Sequence, residues 1–263
     1  MVVDVNVSLS RWPFRRLPFD ETPRLVAKLR RAGVSQAWAG SFDALLHRDV
    51  AAVNARLAAE CRSYAEMLVP FGTVNPTLPD WQDDLRRCHA EHKMPGIRLH
   101  PNYHGYALDD PAFAELLDLA GERQLIVQLA VRMEDDRTQH PLVRVPDVDP
   151  KPLLKLLPAR RDLRLVVLNG LRTLGAPAAA ELAAAGRVWF DIGMLEGAGG
   201  IERLLESVPL ERLLFGSHFP FFVHESAVLK LRESELGDFR EQAIRFKNAE
   251  RLRSATAADR PQG

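Results

Sequence analysis

Eight short segments rich in apolar and β-branched residues alternate in this chain with longer segments in which apolar residues recur every three or four positions. The short segments predict strands at residues 2–7, 36–39, 67–73, 96–99, 125–129, 163–168, 188–192 and 213–215. The longer segments predict helices at residues 21–31, 48–64, 81–92, 111–122, 151–157, 177–185, 201–207 and 238–253. Eight strands, each followed by a helix, within 263 residues predict an α/β fold, a single-domain (β/α)8 or TIM barrel.

We predict that the barrel spans residues 1–253 and that residues 254–263 form a frayed tail. A doubly wound open sheet is the alternative for a chain of alternating strands and helices. Such sheets usually carry a glycine-rich phosphate-binding turn after the first strand, whereas this first strand continues into Ser8-Leu9-Ser10-Arg11-Trp12-Pro13. The sequence contains no GxGxxG or Walker motif, which favours the barrel.

Charge and composition narrow the range of partners. Lys plus Arg and Asp plus Glu each number 35, so no basic excess is present that would hold nucleic acid or an anionic membrane. The two cysteines, Cys61 and Cys88, fall in predicted helices without metal-ligand spacing. The first residues lack the features of a signal peptide. We therefore predict a cytoplasmic protein with a small-molecule substrate and leave its assembly into a homo-oligomer open.

Polar residues are frequent where the predicted strands end. In a TIM barrel the carboxyl ends of the strands form the working surface, so these residues are the candidates for a functional site. They are Asn6, Ser8, Ser41, Asp43, Asn75, His100, Asn102, His104, Gln128, Arg132, Glu134, Asn169, Asp191 and His218. Several are expected to be turn formers only, because Asn, Asp and Ser bond to their own backbone in loops.

Three motifs point to a known family. The segments Gly96-Ile97-Arg98-Leu99-His100-Pro101, Leu214-Phe215-Gly216-Ser217-His218-Phe219-Pro220 and Asn248-Ala249-Glu250-Arg251-Leu252 resemble the amidohydrolase-related family. The resemblance extends from Asp4 in the first strand to the last helix. It implies a TIM barrel and the activity of a metal-dependent hydrolase or a non-oxidative decarboxylase.

The same resemblance shows which metal ligands are missing. Members of the family carry His-x-His at the end of the first strand, where this chain has Asn6-Val7-Ser8. The histidines expected in the fifth and sixth strands correspond to Ala130 and Asn169, and the aspartate expected after the eighth corresponds to His218. Asn and Ser are poor ligands for zinc. We therefore predict that zinc or manganese is not bound at the family's site. A relocated site among His100, His104, Asp191 and His218 stays open, and the cofactor is otherwise unknown.

Three residues are candidates for catalysis. His218 is predicted to act as a general acid or base because imidazole titrates near neutral pH, and Asp191 is predicted to orient it. His100 has a catalytic or a structural role. The alternative for His218 is a rim histidine bonded to the backbone. The predicted substrate-binding residues are Asn6, Ser8, Arg11, Asn102, His104, Gln128, Arg132 and Asn169.

Two functions are compatible with these observations. The first is an amidohydrolase-like enzyme that hydrolyses or decarboxylates a small polar or carboxylated ring or lactone at the mouth of the barrel, without the usual metal site. Loss of the metal weakens water activation and so favours decarboxylation or lactone opening over amide hydrolysis. The second is a non-catalytic subunit that kept the barrel and binds a small metabolite or a partner.

Overall fold

Eight parallel strands form one sheet in which sequential strands are neighbours, from β1 to β8. The structure is a computed structural model and describes residues 1–254. The strands are β1 (Val3–Leu9), β2 (Gln36–Ser41), β3 (Leu68–Gly72), β4 (Gly96–Leu99), β5 (Ile126–Ala130), β6 (Arg164–Leu168), β7 (Val188–Asp191) and β8 (Leu213–Leu214). All eight predicted strands are thus confirmed. In most of them one or both ends differ from the predicted bounds by one or two residues.

Backbone hydrogen bonds close the sheet into a barrel. The N–H of Val5 in β1 donates to the carbonyl of Phe215 at 2.9 Å, and the N–H of Ser8 donates to the carbonyl of Phe219 at 2.9 Å. The chain that continues from β8 therefore pairs with β1, which removes the open edges of the sheet. The predicted (β/α)8 TIM barrel is confirmed, and the open-sheet alternative is excluded.

Helices surround the barrel. Within residues 1–254 they are α1 (Thr22–Arg31), α2 (Val50–Arg62), α3 (Trp81–Ala90), α4 (Pro101–His104), α5 (Pro111–Glu122), α6 (Leu153–Leu156), α7 (Leu171–Ala185), α8 (Gly200–Leu205), α9 (His224–Glu233), α10 (Gly237–Gln242) and α11 (Asn248–Ser254). Gly175, with φ 67°, breaks α7 into two parts. None of the described helices is long and apolar enough to cross a membrane.

The strands divide the apolar core into layers because successive side chains point to opposite faces. On β6, Leu165 and Val167 pack with the surrounding helices, whereas Val166 and Leu168 belong to a separate cluster with Val3 and Val5 of β1 inside the barrel. A third cluster lies at the carboxyl ends of the strands. It contains Trp12, Leu17, Phe42, Leu45, Ala130 and Met133, with Phe14, Tyr103 and Phe221 packed against it. We call this third group the mouth cluster.

The structure corrects the sequence prediction at three places. The helix α9 was not predicted, and neither was the short helix α4 in the loop after β4. The predicted closing helix at residues 238–253 is divided into α10, a π-helical turn at Ala243–Lys247, and α11. Of the predicted frayed tail, Ser254 belongs to α11, and residues 255–263 lie outside the described part of the chain.

Candidate functional site

Four side chains, from β1, the residue after β6, β7 and the loop after β8, form one hydrogen-bonded group, which we call the amide network: Asn6, Asn169, Asp191 and His218. The amide of Asn6 donates to Asn169 Oδ1 at 2.8 Å and to Asp191 Oδ2 at 2.9 Å. Asp191 Oδ1 accepts the backbone N–H of Asn169 at 2.7 Å. The side-chain nitrogen of Asn169 lies 3.3 Å from His218 Nδ1. These four predicted residues therefore converge, as expected for the ends of adjacent parallel strands.

The backbone around the amide network has unusual geometry. Both Asn169 and His218 have φ of 57°, in the left-handed region that few residues other than glycine adopt. A Cβ atom at Gly216 would lie 2.6 Å from Asp191 Oδ2, and one at Gly193 would lie 2.8 Å from the same atom. Glycine at both positions therefore lets the loops after β7 and β8 close around the Asp191 carboxylate.

Both ring nitrogens of His218 are in contact with protein groups. His218 Nε2 lies 2.8 Å from the carbonyl oxygen of Met133, so Nε2 carries the proton and donates it, and Nδ1 accepts from Asn169. Phe221 stacks on the imidazole with ring centroids 5.1 Å apart. Burial lowers the pKa of His218 to about 4. His218 is therefore neutral at pH 7, and Asp191 acts on it only through Asn169.

A buried cation lies beneath the amide network. The Arg98 guanidinium of β4 donates to Gln128 Oε1 at 2.8 Å, to the carbonyl of Val7 at 2.8 Å and to that of Trp38 at 3.0 Å. Ser8 Oγ lies 3.3 Å from the same guanidinium. The bonds to β1 adjoin a register shift between Asp4 and Val7, where strand pairing leaves carbonyls available. Ser8 and Gln128, both predicted to bind substrate, are thus partners of Arg98.

Two buried carboxylates balance this cation. Burial raises the pKa of Asp191 and that of Asp4 to about 6, and burial also lowers the pKa of Arg98 to about 10. Asp4 accepts the backbone N–H of Ser217 at 3.0 Å and the hydroxyl of the same residue. Sequence reasoning assigned no role to Arg98 or Asp4. The signal was present, because a charged residue inside an apolar strand requires buried partners.

A second group of polar side chains lies at the end of β4. His104 follows His100 by one turn of α4, with ring centroids 6.1 Å apart. His104 Nε2 contacts the carbonyl of Ala44 at 2.9 Å. Among the described residues, His104 Nδ1, the Tyr106 hydroxyl and both ring nitrogens of His100 have no hydrogen-bond partner. We call His100 and His104 the histidine pair.

The mouth cluster covers this end of the barrel. The Trp12 ring is 2% exposed and contacts Phe221 at 4.8 Å, Phe42 at 5.4 Å, Phe14 at 5.5 Å and Tyr103 at 6.2 Å between ring centroids. All four contacts are edge-to-face, and each such pair stabilises by about 0.5–1.5 kcal/mol. Phe221 of this group also stacks on His218, so the mouth cluster is in contact with the amide network.

The remaining predicted residues lie outside both groups. Arg11 is exposed, and Asn102 donates to the carbonyl of Pro146 at 3.0 Å. Arg132 binds Asp147 at 2.6 Å through Nε. Glu134, another of the polar residues that follow the predicted strands, is 3% exposed and forms an ion pair with Arg15. These side chains belong to the loops of the rim.

The positions that the resemblance assigns to metal ligands do not fit a divalent cation. Asn6 and Asn169 bind each other, Ser8 faces the Arg98 guanidinium, and His218 Nε2 donates to a carbonyl. Zinc prefers imidazole, thiolate or carboxylate donors whose lone pairs are available. Across residues 1–254, no three His, Cys, Asp or Glu side chains are grouped so that they could hold a metal ion.

A family comparison agrees with the fold and the motifs. Residues 13–252 match the family model described as amidohydrolase. The protein belongs to the amidohydrolase family. No curated protein matches its sequence. This family member therefore keeps the barrel and its sequence motifs while the four predicted rim residues form a hydrogen-bonded network.

Solved structures share the architecture at low sequence identity. The 2,6-dihydroxybenzoate decarboxylase from Rhizobium has a TM-score of 0.73 and 12% identity, covering 96% of this chain and 98% of its own. The dihydroxybenzoic acid decarboxylase from Polaromonas sp. JS666, with bound manganese and 2-nitroresorcinol, has a TM-score of 0.74 and 12% identity, covering 96% of both chains. An uncharacterized TIM-barrel protein from Bordetella bronchiseptica has a TM-score of 0.72 and 15% identity, covering 95% and 97%. At these identities the likeness shows the fold.

Proposed function

We propose that this amidohydrolase-family protein acts on a small carboxylated ring or lactone at the mouth of its barrel without a divalent metal. The donor set supports the metal-independent part, because the family's ligand positions are occupied by mutually bonded amides and by a hydroxyl facing Arg98. The carboxylated ring is proposed from the solved relatives, whose names describe dihydroxybenzoate decarboxylases. Decarboxylation needs no activated water, which suits a site without a metal.

One observation carries the catalytic part of the proposal: neither ring nitrogen of the buried His100 has a hydrogen-bond partner among the described residues. An unpaired buried polar atom costs about 1–3 kcal/mol, so such a group is retained where a ligand satisfies it. Burial lowers the pKa of His100 well below its usual value, and nearby His104 and Arg98 lower it further. His100 is thus neutral and has one donor and one acceptor to offer.

The chemistry of decarboxylation fits these groups. A substrate carboxylate beside His100 would raise the pKa of the imidazole again, because a nearby negative charge favours the protonated form. When the carbon–carboxylate bond breaks and CO2 leaves, the electron pair remains on the ring carbon. That carbon then takes the proton from the His100 imidazolium, which regains a proton from solvent. The buried Arg98 guanidinium, whose N–H donors bind Gln128, Ser8 and carbonyls of β1 and β2, would act on the developing charge through its electric field alone.

His218 and Asp191 take a positioning role in this proposal. The His218 ring is held by Met133 and Asn169, and Asp191 holds Asn169 and Asn6. The network therefore fixes one wall of the mouth, while the histidine pair faces the substrate from β4 and α4.

The test combines metal analysis with a substrate screen. Protein purified without chelator should contain less than stoichiometric zinc or manganese, and turnover of an aromatic carboxylate or lactone should survive EDTA. The His100→Gln variant should lose at least about 100-fold in kcat, the size typical of a lost acid–base group, while the exposed His89→Gln control stays unchanged. Activity that disappears with EDTA and returns with manganese would overturn the proposal.

A second candidate function is supported by the contacts of His218 and Trp12. Both nitrogens of His218 are bonded, and the mouth cluster closes over the site, as expected for a subunit that binds a small molecule or a partner without turning it over. Saturable binding of a carboxylate with no product formed, in the parent and in the His100→Gln variant alike, would favour this candidate.

A further inference from the structure

A cavity of about 790 Å³ lies beside the mouth of the barrel. The loops after β5, β7 and β8, the first turn of α7 and the helix α9 form its walls. Its volume is in the range of cavities that hold small organic ligands. The cavity adjoins the amide network: Phe221 lines the cavity and stacks on His218, and Gly193 lines it two residues after Asp191.

The charges that line the cavity are mainly positive. Four basic side chains, Arg132, Arg137, Arg172 and Lys230, face two acidic ones, Asp135 and Glu196. The three arginines form ion pairs with carboxylates, two of them with Asp135. Lys230 differs from them, because its Nζ donates to the carbonyl of Gly193 at 3.0 Å and belongs to no ion pair within residues 1–254.

Lys230 is held where it can bind an anion. It lies on α9, half-buried, and its remaining two N–H donors are not used by the contact with Gly193. Burial lowers the pKa of Lys230, with the charges of Asp191, Glu233 and Glu196 acting in the opposite direction. A carboxylate in the cavity would supply the counter-ion that this ammonium lacks at short range.

The other side of the cavity is apolar. Met194, Leu195, Phe222 and Val223 contribute thioether, aliphatic and aromatic surface. Such a wall excludes water from one part of a ligand while the basic side chains hold a charged part. The Phe222 ring is also fixed against His218, in an edge-to-face contact of 5.3 Å between centroids.

From this combination we propose that the cavity, which we call the rim site, binds a small organic anion that carries one carboxylate on an apolar ring. Lys230 and Arg172 would bind the carboxylate, and the ring would lie against Met194 and Phe222. The rim site stands on its own contacts, so it holds whether or not the mouth of the barrel is catalytic.

Glu196 makes the proposal testable in two directions. This acid is 64% exposed and lies 3.2 Å from Arg172 Nη1, so it competes with a bound anion for the same guanidinium. Removing its charge should strengthen anion binding, whereas removing the charge of Lys230 should weaken it. A general loss of structure could not produce effects of opposite sign.

The probe is benzoate, titrated by calorimetry into the full-length protein, with neutral benzamide of the same shape as its control. Lys230→Gln keeps a donor for the Gly193 carbonyl and should weaken benzoate binding at least about tenfold, as expected for a lost charge-assisted hydrogen bond. Lys230→Arg should restore most of the affinity, Glu196→Gln should raise it about threefold, and the exposed Lys155→Gln should not change it. Benzamide should bind more weakly than benzoate to the parent.

Two results would overturn the rim site. Benzoate affinity that is equal in the parent and in Lys230→Gln excludes Lys230 as its ligand. Affinity that is lost in His100→Gln but kept in Lys230→Gln places benzoate in the barrel mouth, which would support the proposed catalytic site and not the rim site. Loss of benzoate binding in Lys230→Gln, with unchanged turnover at the mouth, supports the rim site alone.

Discussion

The amide network and the histidine pair lie at the same end of one barrel but differ in how their polar atoms are satisfied. In the network, both oxygens of Asp191 and both ring nitrogens of His218 have protein partners. In the pair, both nitrogens of His100 lack one among the described residues. A satisfied buried group contributes to stability, whereas an unsatisfied one is a cost that a ligand can remove.

Strand order explains the difference. The network takes its residues from β7, from β1 and from the chain directly after β6 and β8, strands that are consecutive around the closed barrel, so their ends meet. The histidine pair comes from the end of β4 and from α4, on another part of the rim. Substitutions in the amide network should therefore mainly lower the stability of the protein, whereas substitutions in the histidine pair should mainly lower ligand binding.

The largest effect is expected at Arg98, the cation beneath the network. Arg98→Met removes the guanidinium and leaves the carbonyls of Val7 and Trp38 without their donor. We expect the free energy of unfolding to fall by about 4 kcal/mol, as for other broken buried charge groups. Urea denaturation measures the change. The exposed Arg24→Met on α1 is the matched control. If Arg98→Met lowered the free energy of unfolding by less than about 1 kcal/mol, the structural role proposed for Arg98 would be contradicted.

A somewhat smaller loss is expected from Asp191→Ala. The substitution leaves one N–H of the Asn6 amide and the backbone N–H of Asn169 without an acceptor, and each unpaired donor costs about 1–3 kcal/mol. We expect about 3 kcal/mol in the same denaturation assay. Asp109→Ala, at an exposed position, should change stability by less than about 0.5 kcal/mol. If the two variants were equally stable, the network would not be holding the rim together.

The third prediction concerns pH. The pKa of His218 is lowered by burial to about 4, so the unfolded chain takes up this proton below pH 6.5 while the folded protein does not. The contribution of His218 is fully present above pH 6.5 and is lost as the pH falls towards 4. It amounts to about 2 kcal/mol between pH 7.5 and pH 5, at about 1.4 kcal/mol per pH unit.

The carboxyls of Asp4 and Asp191 act in the opposite direction. Their pKa values are raised to about 6 by burial, so they stabilise the folded protein at low pH and lose that contribution as the pH rises from 4 to 6. The measurement is therefore the difference between His218→Gln and the parent at each pH. We expect this difference to shrink by about 2 kcal/mol at pH 5, with His89→Gln as the exposed control. A difference that does not change with pH would show that His218 is not held neutral.

The smallest stability effect is expected on the other side of the comparison. His100→Leu replaces an imidazole without partners by an apolar side chain of similar size, so the free energy of unfolding should stay the same or rise by up to about 1 kcal/mol. Binding or turnover at the mouth should be lost. A destabilisation as large as that of Asp191→Ala would show that His100 is bonded in solution, and the contrast between the two regions would disappear.

Much of the fold could be predicted because it depends on local patterns. All eight strands were predicted, since short buried strands of parallel sheets are continuous apolar runs. The helix α9 was missed although its sequence carries the usual signals: Ala227 and Leu231 four positions apart, Glu225 in its first turn and Lys230 in its last. The rim cavity depends on this helix, so the omission also hid Lys230.

The candidate site was less predictable because it depends on contacts between distant residues. The predicted strands place Asn6, Asn169, Asp191 and His218 at strand ends, but they do not predict the bonds that make these residues a closed network. The expected direct orientation of His218 by Asp191 is replaced by a contact through Asn169. His100 and His224 both have two ring nitrogens without a hydrogen-bond partner among the described residues. This depends on the packing around each ring, which no local pattern in the sequence reports.

The space taken by Arg98 also bears on whether a metal centre could be built at this end of β1. Its guanidinium fills the volume in front of Gly40, where an added Cβ would lie 2.8 Å from Nη1. Histidines introduced at Asn6 and Ser8 would place a divalent ion near a fixed positive charge that repels it. Removing Arg98 first would open a void beside Gly40 and leave the carbonyls that it binds without this donor. A metal centre at this position would therefore require coordinated changes on several strands, and no single substitution would create it.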